Sequence, residues 1–226
     1  NGITLIYRGV DKETFNPKAV SSDRVELLRS EWQLKADLPV IMLPGRLTPW
    51  KGQDTFIEAM SLMKKDQFQA LIVGDNTENQ YFSQQLEALI DEYGLQNRVR
   101  LVGHCDDMPA ALMLADVVVS ASSREPEAFG RTTIEAMAMG KAVVATAHGG
   151  SLETVIPGVT GWLVKPGDAR DLANVLSNAL HSGDVLERFG SAGRDIAQMK
   201  FSTASMCEKT IALYQELFNK YKLNVH

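Results

Sequence analysis

Short apolar runs recur from one end of the chain to the other and alternate with stretches of helical periodicity. Some of them, such as Val40–Leu43 and Ala70–Val73, are apolar at every position rather than at every second one. Strands with this pattern are buried on both faces, as in a parallel sheet that helices cover on either side. The sequence therefore predicts βαβ units and an α/β fold with a doubly wound, mainly parallel, Rossmann-like sheet. The candidate strands are Ile3–Tyr7, Val40–Leu43, Ala70–Val73, Val99–Val102, Val117–Ser120, Ala142–Thr146 and Trp162–Val164.

The part of the chain after Asp168 contains only helical patterns, which adds extra C-terminal helices to the predicted fold. We expect breaks between these helices near Ser182-Gly183 and at Gly190. The last helix, within residues 202–226, has apolar residues on one face: Ile211, Tyr214, Phe218 and Tyr221. We expect this face to pack on the chain's own sheet; the alternative is that it docks on a further domain.

The composition fits one large globular domain over residues 1–226. Apolar residues make up 45% of the chain and charged residues 23%, which argues against a disordered or fibrous protein. The formal net charge of −5 gives no sign of a nucleic-acid binder. Because Cys105 and Cys207 are far apart in sequence, we expect neither a disulfide framework nor a structural zinc site.

The sequence also gives expectations about location and completeness. No apolar run approaches the ~20 residues that a membrane helix requires, so we expect no transmembrane segment and a cytoplasmic protein. The chain opens on Asn1-Gly2, without a methionine, and enters an apolar run at once. We therefore expect it to be a piece of a longer protein.

The loop that follows Val40–Leu43 combines glycine with positive charge. Doubly wound sheets bind ligands at the carboxyl ends of their strands, where loops lead into helices. Here Gly45 and Gly52 permit close backbone approach, and Arg46 and Lys51 precede a helix whose positive dipole end favours anions. This combination suits a phosphate or diphosphate, although ordinary solvated surface cations are the alternative. Neither the Walker pattern nor G-x-G-x-x-G occurs at this loop.

The loop that follows Val117–Ser120 contains two carboxylates, Glu127 and Glu135, with seven residues between them. Glu135 is predicted about one turn into a helix that starts near Thr132, so a stabilising interaction with the helix dipole is one interpretation. The other residues of that helix are small or apolar, however, which indicates that the helix is buried. A carboxylate beside a buried helix needs hydrogen-bond donors. Sugar or ribose hydroxyls would serve, and backbone amides at residues 128–130 could contact the same ligand.

A third loop, after Ala142–Thr146, contains Gly149 and Gly150, which again permit close approach of the backbone. Ser151 is a candidate N-cap of the next short helix. His148 could act as a general base, but a single histidine in a loop is more often without a catalytic role.

Together these loops resemble the donor-binding half of retaining glycosyltransferases with the two-domain GT-B fold, the family known as glycosyl transferases group 1. The family's E-x7-E signature matches Glu127 and Glu135, and its diphosphate-contacting loop matches Gly45–Gly52. Glu125 creates a second register, but only Glu127 gives the seven-residue interval. Further matches lie at residues 7–17, 149–153, 158–164 and 166–168.

The resemblance implies a role for each matching residue. Arg46 and Lys51 would hold the donor's diphosphate and neutralise charge as the sugar–phosphate bond breaks, and Glu127 would hold sugar hydroxyls; these three are the candidate catalytic residues. Glu135 would bind the ribose hydroxyls, and residues 103–108 would lie near the base. The remaining candidate donor-binding residues are Gly45, Ala128, Phe129, Gly130, Thr133, Ile134 and Gly149.

The resemblance also implies a reaction. A hexosyl group would pass from a UDP-, GDP- or ADP-linked sugar to a hydroxyl acceptor with retention of configuration, in glycan or lipopolysaccharide biosynthesis. No metal or other cofactor is implied, and Asp106-Asp107 is not the D-x-D arrangement of metal-dependent transferases.

An N-terminal acceptor domain of the same protein would complete the enzyme. We expect the chain alone to transfer little or nothing, and the other domain could hold the protein at the inner face of a membrane. Two alternatives remain open at this point. The first is a non-catalytic nucleotide-binding or scaffold module. The second is a dehydrogenase-type dinucleotide domain, which the missing glycine fingerprint disfavours.

Overall fold

The computed structural model describes residues 3–75 and 80–221. Within these residues, six strands form one parallel sheet in the order β3-β2-β1-β4-β5-β6. The strands are β1 Val40–Pro44, β2 Gln69–Val73, β3 Val99–Gly103, β4 Val117–Ser120, β5 Ala142–Thr146 and β6 Gly161–Val164. The helices are α1 Ser22–Glu31, α2 Gln53–Leu62, α3 Gln80–Glu92, α4 Met108–Leu114, α5 Arg131–Ala138, α6 Ser151–Thr154, α7 Ala169–Leu180, α8 Gly183–Lys200 and α9 Thr203–Tyr221. Short 3₁₀ turns lie at Pro17–Ala19 and Pro49–Lys51. The predicted doubly wound α/β fold is confirmed.

Alternate residues of the central strand pack into different cores. Ile41 and Leu43 belong to the core that β1 shares with α2, α3 and α7, whereas Val40 and Met42 belong to the core on the opposite face. All four side chains are at most 2% exposed. Burial on both faces is the physical reason that these strands are apolar at every position.

The strand order reverses next to β1 and thereby locates the ligand crevice. The chain builds β1, β2 and β3 outward in one direction, and then returns to add β4 on the other side of β1. In open α/β sheets, ligands bind at such a switch point, outside the carboxyl ends of the two strands. The loops that follow β1 and β4 are the two that the sequence singled out most strongly.

The predicted first strand, Ile3–Tyr7, is wrong. This segment forms no strand, and its side chains Ile3 and Leu5 are 100% and 65% exposed. Apolar composition alone does not make a strand, because a strand also needs a neighbour that satisfies its backbone groups. Among the described residues before β1, Val10 instead forms an isolated bridge to Ser202.

The predicted helix break at Gly190 is also wrong, because α8 continues through this residue. A Cβ added at Gly190 would lie 2.0 Å from the carbonyl oxygen of Gly140. Glycine is therefore needed here for the close approach of α8 to the turn between α5 and β5. The predicted break at Ser182-Gly183 is confirmed, since α7 ends at Leu180 and α8 begins at Gly183.

This close approach gives a test of the packing. We expect Gly190→Ala to destabilise the fold by about 2 kcal/mol, because overpacking outweighs the gain in helix propensity of about 1 kcal/mol. The melting temperature should fall by about 4–8 °C. Gly183→Ala in the same helix is the matched control, because a Cβ there meets nothing within 4 Å. Equal melting temperatures for the two variants would contradict the packing argument.

The last helix does not pack on the sheet. From Thr203 to Lys220 no residue of α9 is buried, and Ile211, Tyr214 and Phe218 are 55%, 66% and 61% exposed. The expectation that this apolar face packs on the chain's own sheet is therefore wrong. Docking on a further domain stays a prediction. The Tyr221 side chain and residues 222–226 lie outside the described residues.

Candidate active site

A cleft of about 570 Å³ opens where the loops after β1 and β4 meet. It brings together most of the residues that the sequence nominated, both cations and both carboxylates included. The nominated residues that line it are Gly45, Arg46, Lys51, Glu127, Ala128, Phe129, Gly130 and Glu135. Charged groups from separate loops thus converge at one edge of the sheet.

The loop after β1 reaches the loop after β4 because of Gly52. This residue has a φ of +74°, and an added Cβ would lie 1.9 Å from the carbonyl oxygen of Ala121. Only glycine permits that contact, which places Lys51 beside the second loop. On the other side of the loop, the buried Gln53 side chain donates a hydrogen bond from Nε2 to the Arg46 carbonyl at 2.8 Å. The backbone that carries both cations is therefore fixed by packing.

Lys51 and Glu127 form the central ion pair of the cleft. Lys51 Nζ lies 2.5 Å from Glu127 Oε2, and each side chain is 14% exposed. Ser122, which is fully buried, donates from Oγ to the same oxygen at 3.1 Å. Thr146 in turn donates from Oγ1 to the Ser122 carbonyl at 2.8 Å. Among the described residues these contacts use only Oε2, so Oε1 of Glu127 can accept hydrogen bonds from ligand hydroxyls.

Glu135 is a partly desolvated carboxylate in the second turn of α5. Helix α5 begins after Gly130, whose φ of +82° turns the chain into the helix. Burial raises the pKa of the Glu135 carboxyl, and Arg131, whose Nη2 lies 3.2 Å from Oε1, offsets part of this rise. The Glu135 side chain is 12% exposed. A carboxylate in this state gains from donors such as vicinal hydroxyls, which would replace its lost hydration.

The raised pKa of Glu135 predicts a dependence of stability on pH. A raised carboxyl pKa means that ionisation is harder in the folded chain, so stability falls as pH rises from the ordinary value of 4.5 through the raised one. Glu135→Gln cannot ionise, and we expect it to be at least as stable as the unchanged protein at pH 7. That advantage should vanish near pH 4. Urea unfolding between pH 4 and 8 measures it, with the exposed Glu208→Gln as control. An advantage that does not change with pH would contradict this assignment.

Two nominated residues support the cleft without lining it. Gly149 has a φ of +60°, and an added Cβ would lie 2.4 Å from the Glu127 carbonyl oxygen. Next to it, the Gly150 amide donates to that same oxygen at 2.6 Å. Thr133 is 1% exposed, and its hydroxyl has no partner among the described residues. Direct contact of Gly149 and Thr133 with the donor stays a prediction.

Two further expectations change in detail. Ile134 lines a neighbouring cavity of about 200 Å³, which shares Phe129, Arg131 and Glu135 with the cleft. Ser151 is the first residue of α6 and not its N-cap, a position that Gly150 occupies. The backbone turn at the two glycines enters this helix without a side-chain cap.

Sequence reasoning missed several residues of the cleft. Arg8, Trp50, Arg131 and Thr132 also line it. Trp50 and Thr132 adjoin nominated residues, so their place in the wall could have been inferred from the loops. Arg8 precedes β1 by more than thirty positions, and its presence depends on how the segment before the sheet folds back.

The same fold occurs in known proteins. A model of the family described as "Glycosyl transferases group 1" matches residues 25–196. The crystal structure of a glycosyltransferase from Rickettsia africae superposes with a TM-score of 0.92 at 33% identity, over 95% of this chain and 57% of the other. This chain belongs to the glycosyl transferases group 1 family. Its six-stranded domain is the C-terminal domain of the GT-B fold.

Two further similar proteins add detail to the comparison. Anabaena Alr3699/HepE in complex with UDP-glucose has a TM-score of 0.86 at 31% identity, over 94% of this chain and 57% of that protein. A D-inositol 3-phosphate glycosyltransferase from Xylanimonas cellulosilytica is 30% identical over 217 residues, which are 95% of this chain and 51% of the relative. The chain spans about half the length of the curated relatives it matches.

The part of the chain that the structure describes contains neither a membrane-spanning helix nor a cluster of metal-binding side chains. In residues 3–75 and 80–221, no helix is long and apolar enough to cross a membrane. Over the same part of the chain, no group of three or more histidine, cysteine, aspartate or glutamate side chains is placed to hold a metal ion.

Proposed function

We propose that this chain is the donor-binding half of a retaining glycosyltransferase that uses a UDP-linked hexose. The observation that carries the proposal is the convergence of Arg46, Lys51, Glu127 and Glu135 on one cleft at the switch point of the sheet. Complexes of the Anabaena relative with UDP and UDP-glucose favour uridine among the bases that the sequence leaves open.

In the proposed reaction, the bond between the anomeric carbon and the diphosphate oxygen breaks, a hydroxyl oxygen of the acceptor bonds to that carbon, and the proton of this hydroxyl passes to the departing diphosphate. The diphosphate leaves with the bonding electrons, and Arg46 and Lys51 stabilise the charge that develops on it. Glu127 accepts hydrogen bonds from hydroxyls of the sugar, which fixes the anomeric carbon in the cleft. Glu135 accepts hydrogen bonds from the ribose.

Retention of configuration and independence of metal ions are parts of this proposal. Lysine and arginine can stabilise a departing diphosphate in place of a divalent cation, because fixed positive charge near the leaving group lowers the barrier. Retention rests on the resemblance of the E-x7-E pattern, and the stereochemistry of the product tests it directly by nuclear magnetic resonance.

The proposal extends to the rest of the protein. The acceptor would bind to an N-terminal half in the cytoplasm, which closes the cleft and completes the enzyme for glycan or lipopolysaccharide synthesis. The apolar face of α9 would dock on that half, since Ile211, Tyr214 and Phe218 are each more than half exposed. The chain alone would then bind donor but transfer little.

Calorimetric titration of the chain tests the donor assignment. UDP and UDP-glucose should bind in buffer that contains EDTA, and GDP and ADP should bind more weakly. NAD should not bind, as expected for a cleft without the dinucleotide fingerprint. Binding of NAD in preference to UDP would contradict the proposal. Donor binding without turnover in the full-length protein would favour the alternative of a non-catalytic module.

A further inference from the structure

Arg8 is a cation of the cleft wall without a role assigned from the sequence, although it lies within the matching residues 7–17. It is exposed, and it lines the same cleft as Arg46 and Lys51 although it comes from the segment before the first strand. We propose that Arg8 binds the diphosphate of the donor as a third cation. This inference rests on the proposed function and adds a residue to it.

The backbone on the N-terminal side of Arg8 is held by aromatic packing. The ring of Tyr7 stacks on Phe129, with centroids 6.1 Å apart, and meets the edge of Phe201 at 5.3 Å. Phe129 lies in the loop that carries Glu127, and Phe201 lies at the junction of α8 and α9. Tyr7 therefore places the neighbouring Arg8 directly against the donor loop.

The backbone on the C-terminal side of Arg8 is held by hydrogen bonds. The Val10 amide donates to the Phe201 carbonyl at 2.7 Å, and the Thr203 amide donates to the Val10 carbonyl at 3.1 Å. A Cβ added at Gly9 would lie 2.3 Å from the Thr203 nitrogen, so only glycine fits between these contacts. Arg8 is thus anchored on both sides, which reduces the conformational freedom that it must lose to bind a ligand.

The charges in the cleft show which cations are available. Lys51 is paired with Glu127, and Arg131 is paired with Glu135. Arg8 and Arg46 form no ion pair with any acidic residue that the structure describes. The diphosphate of a nucleotide sugar carries about two negative charges, so Arg8 and Arg46 would add to Lys51 two positive charges that no described carboxylate offsets.

Arginine suits this role better than lysine. Its planar guanidinium can donate two parallel hydrogen bonds to a phosphate, and its charge persists at every pH of interest.

Calorimetric titration of three variants with UDP and with uridine tests the inference. We expect Arg8→Gln to weaken UDP binding about tenfold or more, because a charged hydrogen-bond partner of the phosphates is lost. Binding of uridine, which has no phosphate, should not change. Arg8→Lys should restore part of the loss, and Lys12→Gln is the matched control, since Lys12 is exposed on the same segment outside the cleft lining.

The outcomes of these titrations distinguish a failure of the role of Arg8 from a failure of the proposed donor site. If Arg8→Gln binds UDP as tightly as the unchanged chain, the role of Arg8 is refuted while the donor site stands. If Arg8→Gln weakens uridine as much as UDP, Arg8 supports the fold of the site and does not contact phosphate, which also overturns the inference. If the unchanged chain binds UDP no better than uridine, the diphosphate site itself is wrong and the proposed function fails with it.

Discussion

Replacement of Arg46 or Lys51 by alanine in the full-length enzyme is expected to lower turnover by about 10²–10³-fold. Loss of one group that stabilises developing negative charge has an effect of this size in other enzymes. Both residues line the cleft, and the loop that carries them is fixed by Gly52 and Gln53. Because the charge on the diphosphate grows as the bond breaks, kcat should fall more than the affinity for the donor.

The two substitutions should differ in their effect on stability. Arg46 is exposed and forms no ion pair with a described residue, so Arg46→Ala should leave the melting temperature nearly unchanged. The Glu127 side chain is 14% exposed, and Lys51→Ala removes the positive charge that pairs with it. This substitution should therefore lower the melting temperature. Lys64→Ala, at an exposed position after α2, is the control for both. Near-normal turnover in both Arg46→Ala and Lys51→Ala would remove these residues from the mechanism.

The sequence predicted the features that depend on local patterns. The central strands were recognisable because burial on both faces leaves an apolar residue at every position of a strand such as β1, and the edge strand β3 was recognisable although Arg100 interrupts its apolar run. Arg46, Lys51, Glu127 and Glu135 were recognisable because parallel strands end at the same edge of the sheet, so the loops that follow them must meet. Their convergence in one cleft confirms that part of the reasoning.

The features that depend on packing between distant segments were not predictable. The apolar run Ile3–Tyr7 looks like a strand, but it does not pair with either edge strand of the sheet. Gly190 looks like a helix break in the sequence. In the structure it lies within α8, where the absence of a side chain lets the helix approach the carbonyl of Gly140. Arg8 enters the cleft only because Tyr7 and Val10 are held by residues at the far end of the chain. No local signal carries that information.

The choice between Glu125 and Glu127 as the sugar-binding carboxylate can be decided by a matched pair of substitutions. Glu127 lines the cleft and is held there by Lys51 and Ser122, whereas Glu125 is exposed and absent from the cleft lining. Glu127→Gln in the full-length enzyme should lower kcat/KM by about 10–100-fold, because hydrogen bonds to a charged acceptor contribute about 1.5–3 kcal/mol. Glu125→Gln should change it by less than about twofold.

The readouts of this pair also separate binding from folding. Glutamine keeps the shape of Glu127 but removes the charge that pairs with Lys51, so some loss of stability is expected along with the loss of activity. Because UDP lacks the sugar, it should bind Glu127→Gln with nearly unchanged affinity. UDP-glucose should bind this variant more weakly than it binds the unchanged protein. If instead Glu125→Gln loses activity and Glu127→Gln does not, the sugar is held by Glu125, and the Lys51–Glu127 pair serves only to join the two loops.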